Sequence, residues 1–331
     1  LYQFMNEMEL DLTDIKDFEL PDIDMERFEM GYFENNGLID DDEIPEVPEE
    51  PSTKIGDLYI LGRHRLICGD STDKKDVERL MDGQRAEIIF TSPPYSDIRE
   101  YNKNKNLSVG HLSNFIISFS DFVNYQIVNL GLQIKNSEIY PYWNEYIKKA
   151  KQCGYKFLAW NVWHKTGVSI GMQNLFFPCY HEWVFVFGNN IKKLNRTILK
   201  KTNASTKLKL RRQKDGSMKL SSAGNMSYKY KMMESVFKSN PELGNIRKHH
   251  PATFPIEFPK AYIEGMTIVD DIIADPFLGS GSTLIACEKT NRICYGMEID
   301  PHYCDVIVER YCKYIGKNTI IKNGMEIKWE L

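Results

Sequence analysis

From residue 55 onward the apolar positions change spacing in a regular alternation. GDLYILGRHRLICGD holds two short β-like runs on either side of Gly62, which predicts a hairpin. In DKKDVERLMDG the residues Val77, Leu80 and Met81 fall at helical spacing, and Gly83 stops the helix. AEIIF then reads as a short apolar strand that runs into TSPPYSD, residues 91–97. Residues 112–153 are expected to be mostly helix, followed by two strands, YKFLAWNVW and HEWVFVFGN. Beyond a long irregular stretch, IVDDIIADPF reads as a buried strand, LGSGS as a tight loop and TLIACEKT as a helix. NRICYGMEID is the next strand, and PHYCDVIVERYCKYIG a helix opened by Pro301 with Asp300 as N-cap. Strands alternating with helices predict an α/β fold in which helices wrap a parallel sheet.

Two segments break this pattern, and charge explains both. Residues 1–50 carry 18 Asp and Glu against Lys16 and Arg27, a balance of −16, whereas the whole chain carries −4; residues 51–331 therefore hold +12. Residues 1–54 read as an acidic tail or linker ending in DDDEIPEVPEEPSTK, whose charge and prolines oppose compaction. The apolar residues of LYQFMNEMELDLTDIKDFEL leave room for a short docked helix, and the absence of an initial Met suggests a piece of a longer chain. The second break, residues 191–233, has 13 Lys or Arg and one acid, Asp215, with Tyr228 and Tyr230 among the last lysines. A solvated basic surface is the plain alternative; density of cations favours a nucleic-acid contact surface.

Seven cysteines without a C-x-x-C pair predict reduced thiols rather than a disulfide framework or zinc site. No apolar run nears the roughly 18 residues of a membrane span, and no signal pattern opens the chain, so a cytoplasmic protein is expected.

DPFLGSGST places Gly279 and Gly281 between a strand and a helix, where backbone can approach a ligand and helix N–H groups point outward. Glu298 ends the following strand, as suits a ribose diol. The loop alone fits either a dinucleotide or S-adenosylmethionine. Leu284 replaces the third glycine of the dinucleotide fingerprint, and Asp275 supplies a carboxylate for an ammonium group. Both details favour S-adenosylmethionine. In TSPPY, each proline fixes its own φ, removes a donor and pushes its predecessor to extended geometry. Ser92 Oγ and the Pro93 carbonyl can then accept hydrogen bonds from a substrate amine while Tyr95 stacks on its ring.

TSPPY, HHPATFPIEFPKAYIEGMT, DPFLGSGST and YGMEIDPHYC, in that order, resemble the amino-group DNA methyltransferases of the β arrangement, over about 55–316. The resemblance implies a seven-stranded, mostly parallel, Rossmann-like methyltransferase sheet with an inserted basic target-recognition region. It implies a catalytic half at 55–190, the insert at 191–245 and a cofactor half at 246–331. By matched position, Ser92, Pro93, Pro94 and Tyr95 form the catalytic loop. Asp275, Phe277, Gly279, Ser280, Gly281, Ser282 and Thr283 line the methionine end of S-adenosylmethionine, Glu298 its ribose and Asp70 its adenine. His250, Ala252, Phe254 and Pro255 form the cofactor-side motif ahead of the loop. Lys192, Lys193, Arg196, Lys200, Lys201, Arg211, Arg212 and Lys214 are the cations expected on double-stranded DNA, from which the target base is flipped. The stretch EIPEVPEEPSTKIGDLYILGRHRLICGDSTD is similar to the join in prophage methylases that carry an upstream ParB-like domain; a homodimer is a further partner to test. Many such relatives have Asp where this chain has Ser92, and the serine form is more typical of cytosine N4 enzymes, with adenine N6 as the alternative.

FPCY around Cys179 invites comparison with cytosine C5 nucleophiles, but those follow the glycine loop, so core packing is expected. His249 and His250 lie at no metal-ligand spacing with other donors. His181 and Glu182, opening HEWVFVF, offer either a polar contact near the base pocket or a cap. A non-catalytic DNA-binding protein with a vestigial fold, and an RNA or protein amine methyltransferase, are the competing functional classes.

Overall fold

The computed structural model describes residues 36–94, 108–166, 177, 179–199, 209–212, 218–221, 230–239 and 254–330. Tyr95, Lys200, Lys201, Lys214, His250 and Ala252 lie outside these, as does the helix expected within the first twenty residues, and Arg211 and Arg212 are described by backbone alone.

Strands β1 (Leu58–Leu61) and β2 (His64–Cys68) make the expected hairpin. Its turn needs glycine: Gly62 has φ 58°, and a Cβ there would lie 2.3 Å from the Tyr311 hydroxyl. Helix α1 (Lys74–Met81) starts where the Asp73 side chain accepts from the Lys75 N–H, and buries Val77, Leu80 and Met81. It ends one residue before Gly83, at left-handed Asp82. Strand β3 (Ala86–Thr91) leads directly to the two prolines.

The expected helical stretch 112–153 is corrected by the structure. It contains short helices α2 (Val109–Leu112) and α3 (Phe115–Ser118), strand β4 (Val123–Leu130), a small hairpin of β5 (Ile134–Lys135) and β6 (Glu138–Ile139), and helix α4 (Trp143–Gln152). The polar residues of VNYQIVNL imitate a solvent face, yet Gln126 and Asn129 are both buried. The Gln126 amide donates to the Ile116 carbonyl at 3.0 Å.

Strands β7 (Lys156–Lys165) and β8 (His181–Gly188) follow, antiparallel to one another. In the basic region, β9 (Arg196–Leu199) pairs with β12 (Tyr230–Met232), and β10 (Lys209–Arg212) with β11 (Met218–Ser221). Strand β13 (Val236–Ser239) instead joins the main sheet, parallel to β7. The chain continues through α5 (Glu257–Met266), β14 (Ile272–Asp275), α6 (Ser282–Lys289), β15 (Ile293–Glu298), α7 (Pro301–Ile315), β16 (Thr319–Lys322) and β17 (Met325–Lys328). Strand β14 is shorter than IVDDIIADPF suggested, because the Asp271 carboxylate closes a turn on the Ile268 N–H at 2.8 Å. Asp300 caps α7 as expected, accepting from His302 N at 3.0 Å.

The main sheet has eleven strands in the order β13-β7-β8-β4-β3-β14-β15-β2-β1-β16-β17. Its central run, β7-β8-β4-β3-β14-β15-β2, is the expected seven-stranded arrangement, in which only β8 runs against the others. One face packs on α5, α6 and α7 through residues such as Phe90, Phe258, Leu284 and Ile307. The other packs on α1, α3 and α4 through Ile89, Leu80, Phe115 and Tyr146. After β3 the chain proceeds to β4 on one side, and after β14 to β15 on the other. The β3–β14 seam is therefore a topological switch point, where a crevice opens at the carboxyl ends of the strands. Among the described residues no helix is long and apolar enough to cross a membrane.

The last part of the acidic segment packs on this domain from Asn36 on. Leu38 N–H donates to the Tyr314 carbonyl at 2.9 Å, and Ser52 N–H to the Asp305 carboxylate at 2.6 Å.

Candidate functional site

Parallel register carries three sequence-predicted elements to one edge of the sheet. Ile88 and Ile89 of β3 lie beside Ile273 and Ala274 of β14, and Asp275 lies beside Gly296 of β15. Thr91 and Ser92, Asp275, and Glu298 thus end neighbouring strands at the same edge.

Asp275 is completely buried. Its Oδ1 accepts from Thr91 Oγ1 at 2.6 Å and Phe277 N–H at 3.1 Å, and its Oδ2 from Thr283 Oγ1 at 2.6 Å. Burial pushes its pKa up to about 6, against the lowering effect of those donors. This carboxylate, held by protein donors, splints the proline-turn strand to the glycine loop.

The loop itself runs through Gly279 at φ 57° and Gly281 at φ 87°. Gly279 N–H donates to Glu298 Oε2 at 2.9 Å, and Gly281 N–H to the Leu278 carbonyl at 2.9 Å. Glu298 Oε1 also accepts from the N–H groups of Ile299 at 2.9 Å and Asp300 at 3.0 Å. Desolvation raises the Glu298 pKa to about 7 despite these bonds. Ser282 and Thr283 open α6, and the Phe277 ring meets Phe115 edge-on at 5.3 Å. Beside Glu298, Gly69 N–H donates to its main-chain carbonyl at 2.9 Å, which brings in half-buried Asp70. Asp70 accepts from Thr72 N–H at 2.8 Å and Thr72 Oγ1 at 2.7 Å. Phe254 packs edge-on against Phe90 at 5.8 Å, and Pro255 precedes α5.

At the proline turn, Pro93 is buried and Ser92 half-buried. Ser92 Oγ donates to Asn129 Oδ1 at 3.1 Å, and the Asn129 amide donates to the Trp183 carbonyl at 3.1 Å. This chain of bonds sets the polarity of the serine. Its proton is given to Asn129, so its lone pairs are left for accepting. Asn129 was hidden within the expected helix, and Thr91 at the head of the proline turn; the preference of a buried polar group for a polar partner is the signal that would have marked them. Arg310 was also missed: from α7 its Nη1 donates to the Ser280 carbonyl at 2.9 Å.

The expected DNA cations divide. Lys192 forms an ion pair with Glu87, lies 5.8 Å from the Tyr125 ring centre and stays partly exposed. Lys193 is exposed, and Arg196 is half-buried on β9. Cys179 is buried, with its thiol on the His181 carbonyl, as core packing predicts.

An α/β sheet with a glycine turn and acceptor-lined proline turn side by side at its switch point defines a methyltransferase-type domain. A family model described as DNA methylase, of the N6/N4 class, matches residues 86–309, and the chain belongs to that family. Among curated relatives, the orphan methyltransferase M.BamHII of Bacillus amyloliquefaciens is 25% identical over 248 residues, covering 69% of this chain and 89% of that protein. The type II beta methyltransferase M.BslI of Bacillus sp. (strain NEB-606) is 28% identical over 290 residues, 81% of this chain but only 30% of the relative. Of solved structures, the PvuII DNA methyltransferase, described as cytosine-N4-specific, superposes with TM-score 0.54 at 16% identity, covering 79% of this chain and 90% of its own. A DNA modification methylase from Thermus thermophilus gives TM-score 0.51 at 19% identity, with 80% and 98% covered. The chain is thus an S-adenosylmethionine-dependent DNA amino-methyltransferase by family.

Proposed function

We propose that this chain methylates the exocyclic amine of a base extruded from double-stranded DNA, with cytosine N4 as the preferred target. The observation that carries the reading is the Ser92–Asn129–Trp183 chain of hydrogen bonds, which leaves Ser92 an acceptor beside the glycine loop.

The residues present fit the cofactor. Glu298 stands at the end of β15 with its pKa raised and its carboxylate beside the glycine turn, where a diol can replace lost solvation. Glu298 would hold the ribose, Asp70 the adenine side, and the Gly279–Thr283 loop with Phe254 and Pro255 the remainder. When bound, S-adenosylmethionine supplies an electrophilic methyl group. The protein's part is to orient the amine. A base amine is a weak nucleophile because its lone pair is delocalised into the ring. Ser92 Oγ and the Pro93 carbonyl accept hydrogen bonds from its two N–H groups, which favours pyramidal nitrogen and places the lone pair for in-line attack; one of those protons is lost to solvent once the methyl is on nitrogen. No protein nucleophile is required.

Adenine N6 is the second reading, since it presents the same two protons; Ser92 in place of aspartate favours cytosine. The basic segment with the hairpin of β10 and β11 supports a duplex DNA substrate, whose phosphates need this density of cations. A ParB-like domain upstream belongs to the same reading, supported by the acidic stretch ahead of β1. The test is to methylate plasmid DNA with the purified chain, digest it to nucleosides and identify the product by mass spectrometry. N4-methylcytosine is expected; N6-methyladenine would select the second reading, and unmodified DNA would remove the proposal.

A further inference from the structure

We propose that Arg310 is a positioning residue for the cofactor loop and that the acidic strap Asp40–Glu43 holds it there, so that this strap sets cofactor affinity. The inference rests on the cofactor reading above and extends it to a segment outside the glycine loop.

Arg310 is buried on α7, and its fork joins two distant segments. Nη1 donates to the Ser280 carbonyl at 2.9 Å, and Nη2 to the Asp41 carbonyl at 2.8 Å. Ser280 lies between two glycines in left-handed conformation, a stretch with much backbone freedom to lose. Glu298 fixes the N–H on one side and Leu278 the N–H on the other; Arg310 fixes the carbonyl between them. A buried guanidinium needs opposite charge nearby. Asp40, Asp41, Asp42 and Glu43 supply it, and although burial draws the Arg310 pKa down to about 10 the group stays charged.

The strap is itself fastened to the cofactor side. The Asp41 carboxylate takes Lys289, at the far end of the helix that the glycine loop opens, and the Tyr314 hydroxyl at 3.2 Å. Asp42 Oδ1 accepts from Ile256 N–H at 2.9 Å, immediately after Phe254 and Pro255. One four-residue acidic run therefore touches supports of both cofactor-side motifs. A second attachment, of Ser52 and Thr53 to Asp305, fastens a different part of the segment to α7 and serves as a control.

The experiment uses the full chain and the variants Asp42→Ala, Arg310→Lys and Asp305→Asn. Affinity for S-adenosylmethionine is measured by calorimetry, amide exchange of residues 278–283 in cofactor-free protein, and global stability by urea. Lysine cannot span both carbonyls as the fork does. Asp42→Ala and Arg310→Lys are expected to weaken cofactor affinity about tenfold, the scale of one lost charged hydrogen bond. They should also speed loop exchange, with kcat at saturating cofactor nearly unchanged and Asp305→Asn unaltered in both readouts. Should Arg310→Lys not fold, Asp42→Ala decides alone. Unchanged affinity and exchange, weakening shared equally by Asp305→Asn, or changes that merely track urea stability would overturn the proposal, as would failure of the unaltered chain to bind cofactor. Strap-dependent binding without any methyl transfer to DNA would instead remove the functional reading and leave this one standing.

Discussion

Thr91 Oγ1 donates to Asp275 Oδ1 across 2.6 Å, tying the strand that ends in the proline turn to the strand that opens the glycine loop. The two residues are far apart in sequence and adjacent only because β3 and β14 are sheet neighbours. Their bond is buried, so its loss is not compensated by water. Thr91→Val keeps the shape, removes the donor, and is expected to cost about 1–3 kcal/mol in urea unfolding. A variant as stable as the original would show that the other donors suffice for Asp275.

Ser92 and Asn129 act as a unit if the amide sets the hydroxyl's polarity. Ser92→Ala should raise the barrier by about 3 kcal/mol with near-normal cofactor affinity. Asn129→Ala should lower kcat about ten- to hundredfold while Ser92 is intact, and far less in the Ser92→Ala background. Additive losses in that double-mutant cycle, read by radiolabelled methyl transfer, would separate the two residues.

Two carboxylates with raised pKa values predict a pH dependence. Burial raises Asp275 from 3.8 to about 6 and Glu298 from 4.5 to about 7. Between those values the folded chain retains protons that the unfolded chain has released, so stability falls as pH rises from about 4 to about 7. Thermal unfolding of cofactor-free protein at matched ionic strength should show this slope, and Glu298→Gln should flatten its upper part. An upper slope left unchanged by Glu298→Gln would mean that Glu298 is ionised at lower pH.

Arg211 and Arg212 lie on β10, whose hairpin with β11 belongs to the basic region. Replacing both with Gln is expected to weaken DNA binding at all sequences and reduce the salt slope by about 2, near one counterion for each phosphate no longer neutralised. Binding measured over a range of salt checks it, and an unaltered slope would place these cations away from the phosphates.

Much of the architecture could be read from periodicity, since β3, β14, α6, β15 and α7 have clean apolar runs with caps and a glycine turn between them. The misreading at β4 has a physical cause. A central strand buried on both faces has no alternation, and buried Gln126 and Asn129 look polar to any sequence pattern. The site was legible where chemistry needs unusual backbone, as at Pro93, Gly279 and Gly281. Asn129, Arg310 and the strap were not, because their partners, main-chain groups among them, are contributed by segments distant in sequence.

The seam between β3 and β14 also bears on how the chain can be divided. A cut in the basic insert between β11 and β12 would give one piece with the proline turn and another with the glycine loop, neither holding a whole site. Pairings of β3 with β14, β2 with β15, β1 with β16 and β7 with β13 all cross that cut. Reassembly from two separately expressed fragments would therefore restore sheet and activity together, making methylation a readout of fragment complementation.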